Sequence, residues 1–437
     1  MITYHETARE IPIVKQADVV VCGAGPAGVA AAIAAARSGA KTQLLELQGC
    51  LGGMWTAGLI SWVIESKHPG IMQEINAELD RRGARLGQGR DYAYDPEVMK
   101  LLLEELCVEA GVEVQMHTRV VAAGKDGSGR ITHAITESAS GREAWAGAVF
   151  IDATGNGDLA TLAGCGFDVG RAGSGEVQPM GLICLVAGID VEEARPFLCL
   201  PDEGHREAKR LMLEEVQRAG VSPSYAAPSL FPLGGDLYVF STNHEYAVSG
   251  MSAADLTRAT IHARAELHDI VNGLRGLGGI WRNMRLVATG AHIGIREGRR
   301  IHGLYQVTQE DLLRGATFDD AVCRVTVGID VHSTDPTTTK AYSAENRTRT
   351  LPYDIPIRAL ISRDVPGLLL AGRCISGDFL AHASYRMTGT AAALGQGAGV
   401  LAAVAAERGQ MPHETPWPSV EPALRAVIEG AEAIATR

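Results

Sequence analysis

Ala17-Asp18-Val19-Val20-Val21-Cys22 runs directly into Gly23-Ala24-Gly25-Pro26-Ala27-Gly28, then into the alanine-rich stretch Val29–Ser38, and then into Lys41-Thr42-Gln43-Leu44-Leu45-Glu46. The first run is short, apolar and β-branched, the pattern of a strand buried on both faces of a parallel sheet. Small residues from Val29 to Ser38, with Gly39 directly after, predict a helix with a glycine stop. Lys41 to Glu46 predicts a second strand ending in an acid. In G-x-G-x-x-G the first glycine makes the tight turn, the second lets backbone approach a pyrophosphate, and the third lets helix pack closely on strand. The helix N-terminus then aims its N–H groups and positive dipole end at the phosphates. A glycine-rich turn alone is common; strand, helix, second strand and acid in this order predict a dinucleotide site, with Glu46 accepting hydrogen bonds from ribose hydroxyls.

Working outward, Asp95 is placed as an N-cap with Pro96 at the first turn of a helix that Gly111 ends, and Val112–Met116 predicts the next strand. From Arg119 to Ala148 short alternating runs with turns at Gly124–Gly129 and Gly141 predict a small antiparallel insertion. Ala148–Asp152 reads as the return to the central sheet. Residues 176–355 lack β-α-β punctuation and mix the helix-like Ala253–Leu274 with strand-like runs. Gly367–Gly372 is again a buried strand, Thr388–Glu407 a small-residue helix, and Val420–Thr436 a surface helix. The expected fold is α/β: a Rossmann-like domain with a central parallel sheet at 14–175 and 356–410, interrupted by a mixed α+β substrate domain at 176–355 and followed by a helical tail at 411–437.

Composition narrows the chemistry. Forty Lys and Arg against 51 Asp and Glu give a net charge of −11, which offers no electrostatic help in binding nucleic acid. The eight cysteines form no C-x-x-C pair, so neither a disulfide framework nor a zinc or iron–sulfur motif is legible. His262, Glu266 and His268 hold one i, i+4 pair only, and no metal site is expected. The N-terminus lacks a basic start before an apolar run, and no window reaches about 18 uninterrupted apolar residues. A cytoplasmic protein with a small-molecule substrate is expected, without nucleic acid or membrane span; self-association is left open. Glycine is abundant, 51 of 437 residues against an ordinary share of about 7%. The surplus concentrates in 23–58, 155–181 and 367–399.

A second glycine-rich loop, Gly49-Cys50-Leu51-Gly52-Gly53-Met54-Trp55-Thr56-Ala57-Gly58, lies just beyond the ribose acid, where a nicotinamide dehydrogenase proceeds to its next helix. With Asp152-Ala153-Thr154-Gly155-Asn156-Gly157-Asp158 and Leu370-Ala371-Gly372-Arg373-Cys374-Ile375-Ser376, it resembles the glutathione-reductase-like superfamily of FAD enzymes. More narrowly, Gly294–Arg300, Ile329–His332, Tyr353–Leu360 and His382–Met387 are similar to the FAD-dependent oxidoreductase family, over Asp18 to about Gly409. Two differences, Trp55 in the loop and Gly298 within Arg296-Glu297-Gly298-Arg299-Arg300, bear on substrate rather than cofactor.

The resemblance implies FAD held along three segments. Gly23, Gly25, Pro26, Ala27 and Gly28 would cradle the pyrophosphate, with Glu46 and Leu47 at the adenosine ribose. Gly52, Gly53, Met54, Trp55 and Thr56 would follow the flavin chain and ring. Val120 would meet adenine through its backbone, and Ala153, Thr154 and Gly155 would lie against the nucleotide. Gly372 and Arg373 would approach the ribityl and pyrophosphate region. Thr388, Gly389, Thr390 and Ala391 would point a helix N-terminus at the flavin N1–C2=O edge.

Oxidation of an alcohol or amine needs a proton acceptor, and His332 and His382 are the leading candidates, with Tyr353 and His244 behind them. Arg386 is a candidate carboxylate clamp or stabiliser of reduced flavin. Arg296, Arg299 and Arg300 read better as ties between domains. The expected activity is hydride transfer from a small organic substrate to flavin N5, with reoxidation by oxygen, a quinone or a protein acceptor, since no second G-x-G-x-x-G follows a strand. Three other readings stay open: a flavin monooxygenase reduced by transient NAD(P)H, an NAD-dependent dehydrogenase using Gly23–Gly28, and a non-catalytic FAD-bearing scaffold.

Overall fold

The computed structural model describes residues 3–87, 89–201, 203–337 and 341–436. The opening unit forms as its pattern requires: β1 (Ile13–Cys22) is buried from Val19 onward, α1 (Pro26–Arg37) starts on proline, and β2 (Thr42–Leu45) is buried throughout. α2 (Pro96–Glu109) is capped by Asp95, whose Oδ1 accepts from the Glu97 N–H at 2.8 Å. β3 (Glu113–Gln115), β4 (Arg119–Lys125), β5 (Ile131–Ser138) and β6 (Gly141–Asp152) complete the first half.

The strand order is β3-β2-β1-β6-β5-β4, with a further strand, Leu368–Leu370, pairing with β6. β3, β2, β1, β6 and Leu368–Leu370 run parallel, whereas β4, β5 and β6 form an antiparallel meander. The expected insertion is therefore the edge of the central sheet itself, and the return strand begins at Gly141 rather than Ala148. Ala144 to Ala146 pair with β5 on one side and β1 on the other, so the meander and the parallel core share one strand. Register aligns the C-terminal ends: Cys22 pairs with Leu45 and Asp152, and Asp152 with Leu370. Gly23, Glu46, Ala153 and Ala371 thus follow their strands onto one crest, the edge at which open α/β sheets take ligands.

A second hydrophobic core runs from Met180 to Ile293. It lies between a four-stranded antiparallel sheet, ordered β8 (Ser229–Gly234), β9 (Leu237–Ser241), β7 (Ile183–Ala187) and β10 (Arg285–Thr289), and the long helix α3 (Ala253–Gly276). Ile301, Val307, Leu312, Val325, Tyr353 and Ile355 pack in the first core instead. The single substrate body expected at 176–355 is therefore divided by its apolar contacts near residue 295. The hairpin of Ala321–Val325 with Tyr353–Pro356 lies against the nucleotide half, and a Cβ on Gly397 would sit 2.8 Å from Val322.

α4 (Thr388–Glu407) is buried almost end to end because its glycines let it lie on the backbone of α1. A Cβ at Gly395 would sit 2.0 Å from the Ala27 carbonyl oxygen, and one at Gly399 2.2 Å from that of Ala31. Among the described residues α4 is long and apolar enough to cross a membrane, and 94% of its apolar window is buried inside the protein. α5 (Trp417–Ala435) buries Val420, Leu424, Val427 and Ala431 on one stripe, with Trp417, Ala423 and Ile428 half-buried beside it against the core. Gly395→Ala and Gly399→Ala are each expected to destabilise the fold by about 2–3 kcal/mol in urea denaturation, because backbone cannot retreat from the added methyl; this outweighs the ~1 kcal/mol gain in helix propensity.

Candidate functional site

Glycines of the first loop divide by what they touch. A Cβ at Gly23 would lie 2.6 Å from the Ala153 carbonyl oxygen, and one at Gly28 1.8 Å from that of Gly23, so both are required by the protein's own packing. Gly25 has φ −66° and ψ −176°, open to any residue, and a Cβ there would meet nothing within 4 Å. Its small size serves something other than the chain. It is also the N-cap of α1, where no side chain caps the helix and no acid stands in the first turn, which suits a phosphate. A Cβ at Gly53 would come within 2.9 Å of Gly25 Cα, so the two glycine loops meet here.

Glu46 accepts from the Ala24 N–H at 2.6 Å through Oε2 and from the Gln48 N–H at 2.7 Å through Oε1. Burial pushes its carboxyl up, and these backbone donors oppose the shift. It therefore braces the loop, with further acceptor capacity on each oxygen for a ribose. Leu47 is exposed and Val120 half-buried. Thr154 donates its N–H and hydroxyl to Asp152 Oδ1 at 3.0 and 2.7 Å, while burial raises the Asp152 carboxyl to about 6. Trp55 Nε1 and Thr388 Oγ1 are buried without partners among the described residues, the condition of groups that a bound polar molecule would satisfy. The loops, the uncapped helix and these two groups fit FAD.

Two expected contacts are arranged differently. Arg373 donates through Nε to the Gly155 carbonyl at 3.0 Å and through Nη2 to Asn156 Oδ1 at 2.8 Å, and also donates to the Ile295 carbonyl. It clasps the crest to the segment entering the second core, and burial lowers its pKa to about 10. At the start of α4, Gly389 donates its N–H to the Ile64 carbonyl at 3.1 Å, and Thr390 Oγ1 donates to Glu65 Oε2 at 2.9 Å. Glu65 also accepts from the Thr326 N–H at 2.8 Å and stands 3.5 Å from His68 Nε2. The positive end of this helix therefore meets an internal carboxylate. Burial raises the Glu65 carboxyl, but hydrogen bonds from His68, Thr326 and Thr390 outweigh it and bring it down to about 2. In sequence Glu65 reads as one polar loop residue among several.

Of the residues proposed for catalysis, His332 and Arg386 come together. His332 Nδ1 lies 3.2 Å from His244 Nε2, and its Nε2 faces Asp330 Oδ2 at 3.6 Å. Arg386 donates to Asp330 Oδ2 at 2.9 Å and to the Asp330 carbonyl at 2.7 Å. His244 Nδ1 is 3.3 Å from the Tyr246 hydroxyl, which donates to the Ser224 carbonyl at 3.1 Å. The Tyr225 ring lies 4.2 Å from the His244 ring, and the Tyr225 and Tyr342 hydroxyls are 2.9 Å apart. Burial and Arg296 push His332 down to about 4 and His244 lower still. Both rings are neutral at pH 7. Asp330, pushed up by burial, is held far below the usual carboxylate range by His332, Arg386 and Arg296.

His382 and Tyr353 must be withdrawn as proton acceptors. His382 is fully buried against Tyr385, with both ring nitrogens unpartnered, and burial drives it well below its ordinary range. Tyr353 donates to Ser384 Oγ at 3.0 Å, which donates to the Val327 carbonyl at 2.7 Å; buried there, its phenol is pushed well above its ordinary range. Arg299 and Arg300 are ties: Arg299 pairs with Asp158 at 2.9 Å, and Arg300 with Glu297 at 2.8 Å and the Gly377 and Gly170 carbonyls. Arg296 departs from that reading and joins the histidine cluster, donating to the Pro179 carbonyl at 2.7 Å. Gly181 bridges Gly294, on which a Cβ would lie 3.0 Å from Met54 Cε, so the cluster is contiguous with the second glycine loop.

Because the folded Glu65 carboxyl sits near 2, below its ordinary value, its stabilisation is complete above about pH 4.5 and is lost as pH falls toward 2. Glu65→Gln is expected to lower unfolding free energy at pH 7 by about 1–3 kcal/mol and to flatten the loss between pH 4.5 and 2. Urea melts across pH at equal flavin content check this; an unchanged midpoint would contradict it.

The sequence profile described as FAD dependent oxidoreductase matches residues 18–424. No curated protein matches the chain. Among solved structures, a geranylgeranyl bacteriochlorophyll reductase-like protein from Thermoplasma acidophilum aligns over 97% of this chain and 88% of its own, at 16% identity and a TM-score of 0.49. The flavin-dependent brominase Bmp2 aligns over 96% and 85%, at 12% identity and 0.47. The anhydrotetracycline hydroxylase OxyS from Streptomyces rimosus aligns over 96% and 69%, at 14% identity and 0.46. Assignment rests on the profile, which spans nearly the whole chain: the protein is an enzyme of the FAD-dependent oxidoreductase family, with FAD as its cofactor.

Proposed function

We propose that the enzyme is a dehydrogenase or oxidase that removes a hydride from a small organic substrate while His332 receives the proton of the substrate's hydroxyl or amine. The observation that carries this reading is the neutral His332–His244 pair beside Asp330, contiguous with the glycine loop at Met54. Bound FAD supplies the hydride acceptor, flavin N5. As the carbon–heteroatom double bond forms, the C–H electron pair leaves with the hydride and the heteroatom's proton goes to His332.

Two neutral imidazoles in contact must present one donor and one acceptor, so the tautomers of His332 and His244 are linked. A proton gained by His332 is stabilised by Asp330, which Arg386 holds in place and ionised. His244 and the Tyr246 hydroxyl extend the hydrogen-bonded chain to the Ser224 carbonyl, which fixes the orientation and tautomer of both rings. Tyr225 and Tyr342 fence the pair from bulk water. The sequence has one strand-linked G-x-G-x-x-G, which favours reoxidation by oxygen, a quinone or a redox protein over a resident nicotinamide.

Gly25→Val is expected to abolish flavin content while leaving the far-ultraviolet circular dichroism of the flavin-free protein unchanged, since a Cβ there meets nothing within 4 Å among the described residues. Loss of folding would assign Gly25 to packing instead. For the wild type, an anaerobic screen of alcohols, amines and hydroxy or amino acids without nicotinamide should bleach the flavin; bleaching that demands NADPH would favour a monooxygenase. With the substrate so found, His332→Ala should retain flavin and slow its reduction by about 10²–10⁴. With His332 near 4, its neutral form persists down to that pH, so the reduction rate should stay level from pH 7 to about 5 and fall below 4. Unchanged kinetics, or an acid limb near 6.5, would remove His332 from the proton transfer.

A further inference from the structure

We infer that the site recognises a carboxylate on its substrate, with Arg296 and Arg386 supplying the positive charge and Gln178 a further donor. The substrate class is then a small organic acid carrying its oxidisable hydroxyl or amine close to the carboxylate. This placement rests on the reading of His332 as proton acceptor, whereas the carboxylate recognition itself does not.

The protein leaves several donors over. Arg296 makes one hydrogen bond, to the neutral Pro179 carbonyl at 2.7 Å, and among the described residues no carboxylate lies within ion-pair distance of it. A guanidinium carries five N–H donors, so most of those of half-buried Arg296 stay available to an anion. Burial depresses the Arg296 pKa, and a second cation, Arg386, stands near enough to depress it further. Arg386 Nε and Gln178 Nε2 are also buried without partners. Gln178 Oε1 accepts from the His332 N–H at 3.0 Å and from Arg386 Nη2 at 3.5 Å, which leaves Nε2 as its donating end.

Nearby acids are already committed. Asp330 Oδ2 takes Arg386 at 2.9 Å and faces His332. Glu297 is held by Arg300 at 2.8 Å and by the Gln178 N–H at 3.2 Å. Arg296, Arg300, Arg373 and Arg386 against Asp330 and Glu297, with both histidines neutral, leave positive charge in excess, which an anion would balance. The planar fork of a guanidinium also matches a carboxylate edge. Gln178 Oε1 takes the His332 backbone N–H and Arg386 Nη2, and Arg386 pairs with Asp330, which faces the His332 ring at 3.6 Å, so the donors for an acid lie in the same cluster as the base.

Isothermal titration of the FAD-loaded protein with benzoate, acetate, benzamide, acetamide and inorganic phosphate tests this. Benzoate is expected to bind at least about tenfold more tightly than benzamide, and acetate than acetamide. Arg296→Met should erase that preference while flavin content stays at the wild-type level; Arg296→Lys should keep part of it. Gln178→Leu, which alters no charge, should weaken benzoate by about fivefold and serves if Arg296→Met does not fold. His332→Ala should keep the carboxylate preference, so loss of the proton acceptor and loss of acid recognition are separable. Equal affinity for acid and amide, no binding of either acid up to about 20 mM, tighter binding of phosphate, or a preference that survives Arg296→Met would each overturn the inference.

Discussion

Everything at the crest depends on one backbone contact, that of α1 with α4. The carbonyls of Ala27 and Ala31 leave no room for a side chain at Gly395 or Gly399, so the two helices approach as closely as peptide groups allow. This contact joins residues 26–37 to residues 388–407 and so brings the distant end of the chain back to the first glycine loop. Leu368–Leu370 can then pair with β6, Arg373 can clasp Gly155 and Asn156, and Arg386 arrives beside Asp330. An ordinary helix–helix separation, filled by larger side chains, would leave these groups apart.

The second organising constraint is charge in a poorly solvated interior. Each acid around the crest has defined work: Glu46 braces the first loop, Asp152 ties the 154–160 turn, Glu65 sits at the start of α4, Glu297 holds Arg300, and half-buried Asp330 holds Arg386. With the acids so distributed, the uncompensated charge near the paired histidines is positive. Neutral imidazoles and spare guanidinium donors in one place form an environment suited to an acid substrate, and the same positive field keeps the histidines unprotonated while lowering their basicity.

Much of this architecture was legible along the chain because it is written in short-range patterns. The buried run to Cys22, the three glycines, the acid at Glu46 and the small-residue helix from Thr388 each report a local requirement of strand, turn or close packing. Patterns that depend on partners were read less well. The strand ending at Asp152 starts seven residues earlier than alternation suggests, since its first half is shared between two neighbours. Tyr353 and His382 carry reactive groups, yet both lie in the interior, and nothing in their own segments distinguishes a buried phenol or imidazole from an accessible one. Arg296 lies in the same basic run as Arg299 and Arg300, and what sets it apart is that none of the described acids lies within ion-pair distance of it.

From sequence alone came the class of fold, the dinucleotide crest and the kind of cofactor, because strand and helix periodicity and glycine spacing act within some thirty residues. Tertiary structure alone decided which polar groups share a site. His332 meets His244 across 88 residues of chain and Gln178 across 154, and Thr390 meets Glu65 across 325. Burial, hydrogen-bond partner and charge balance are properties of such meetings, and no local pattern of residues encodes them.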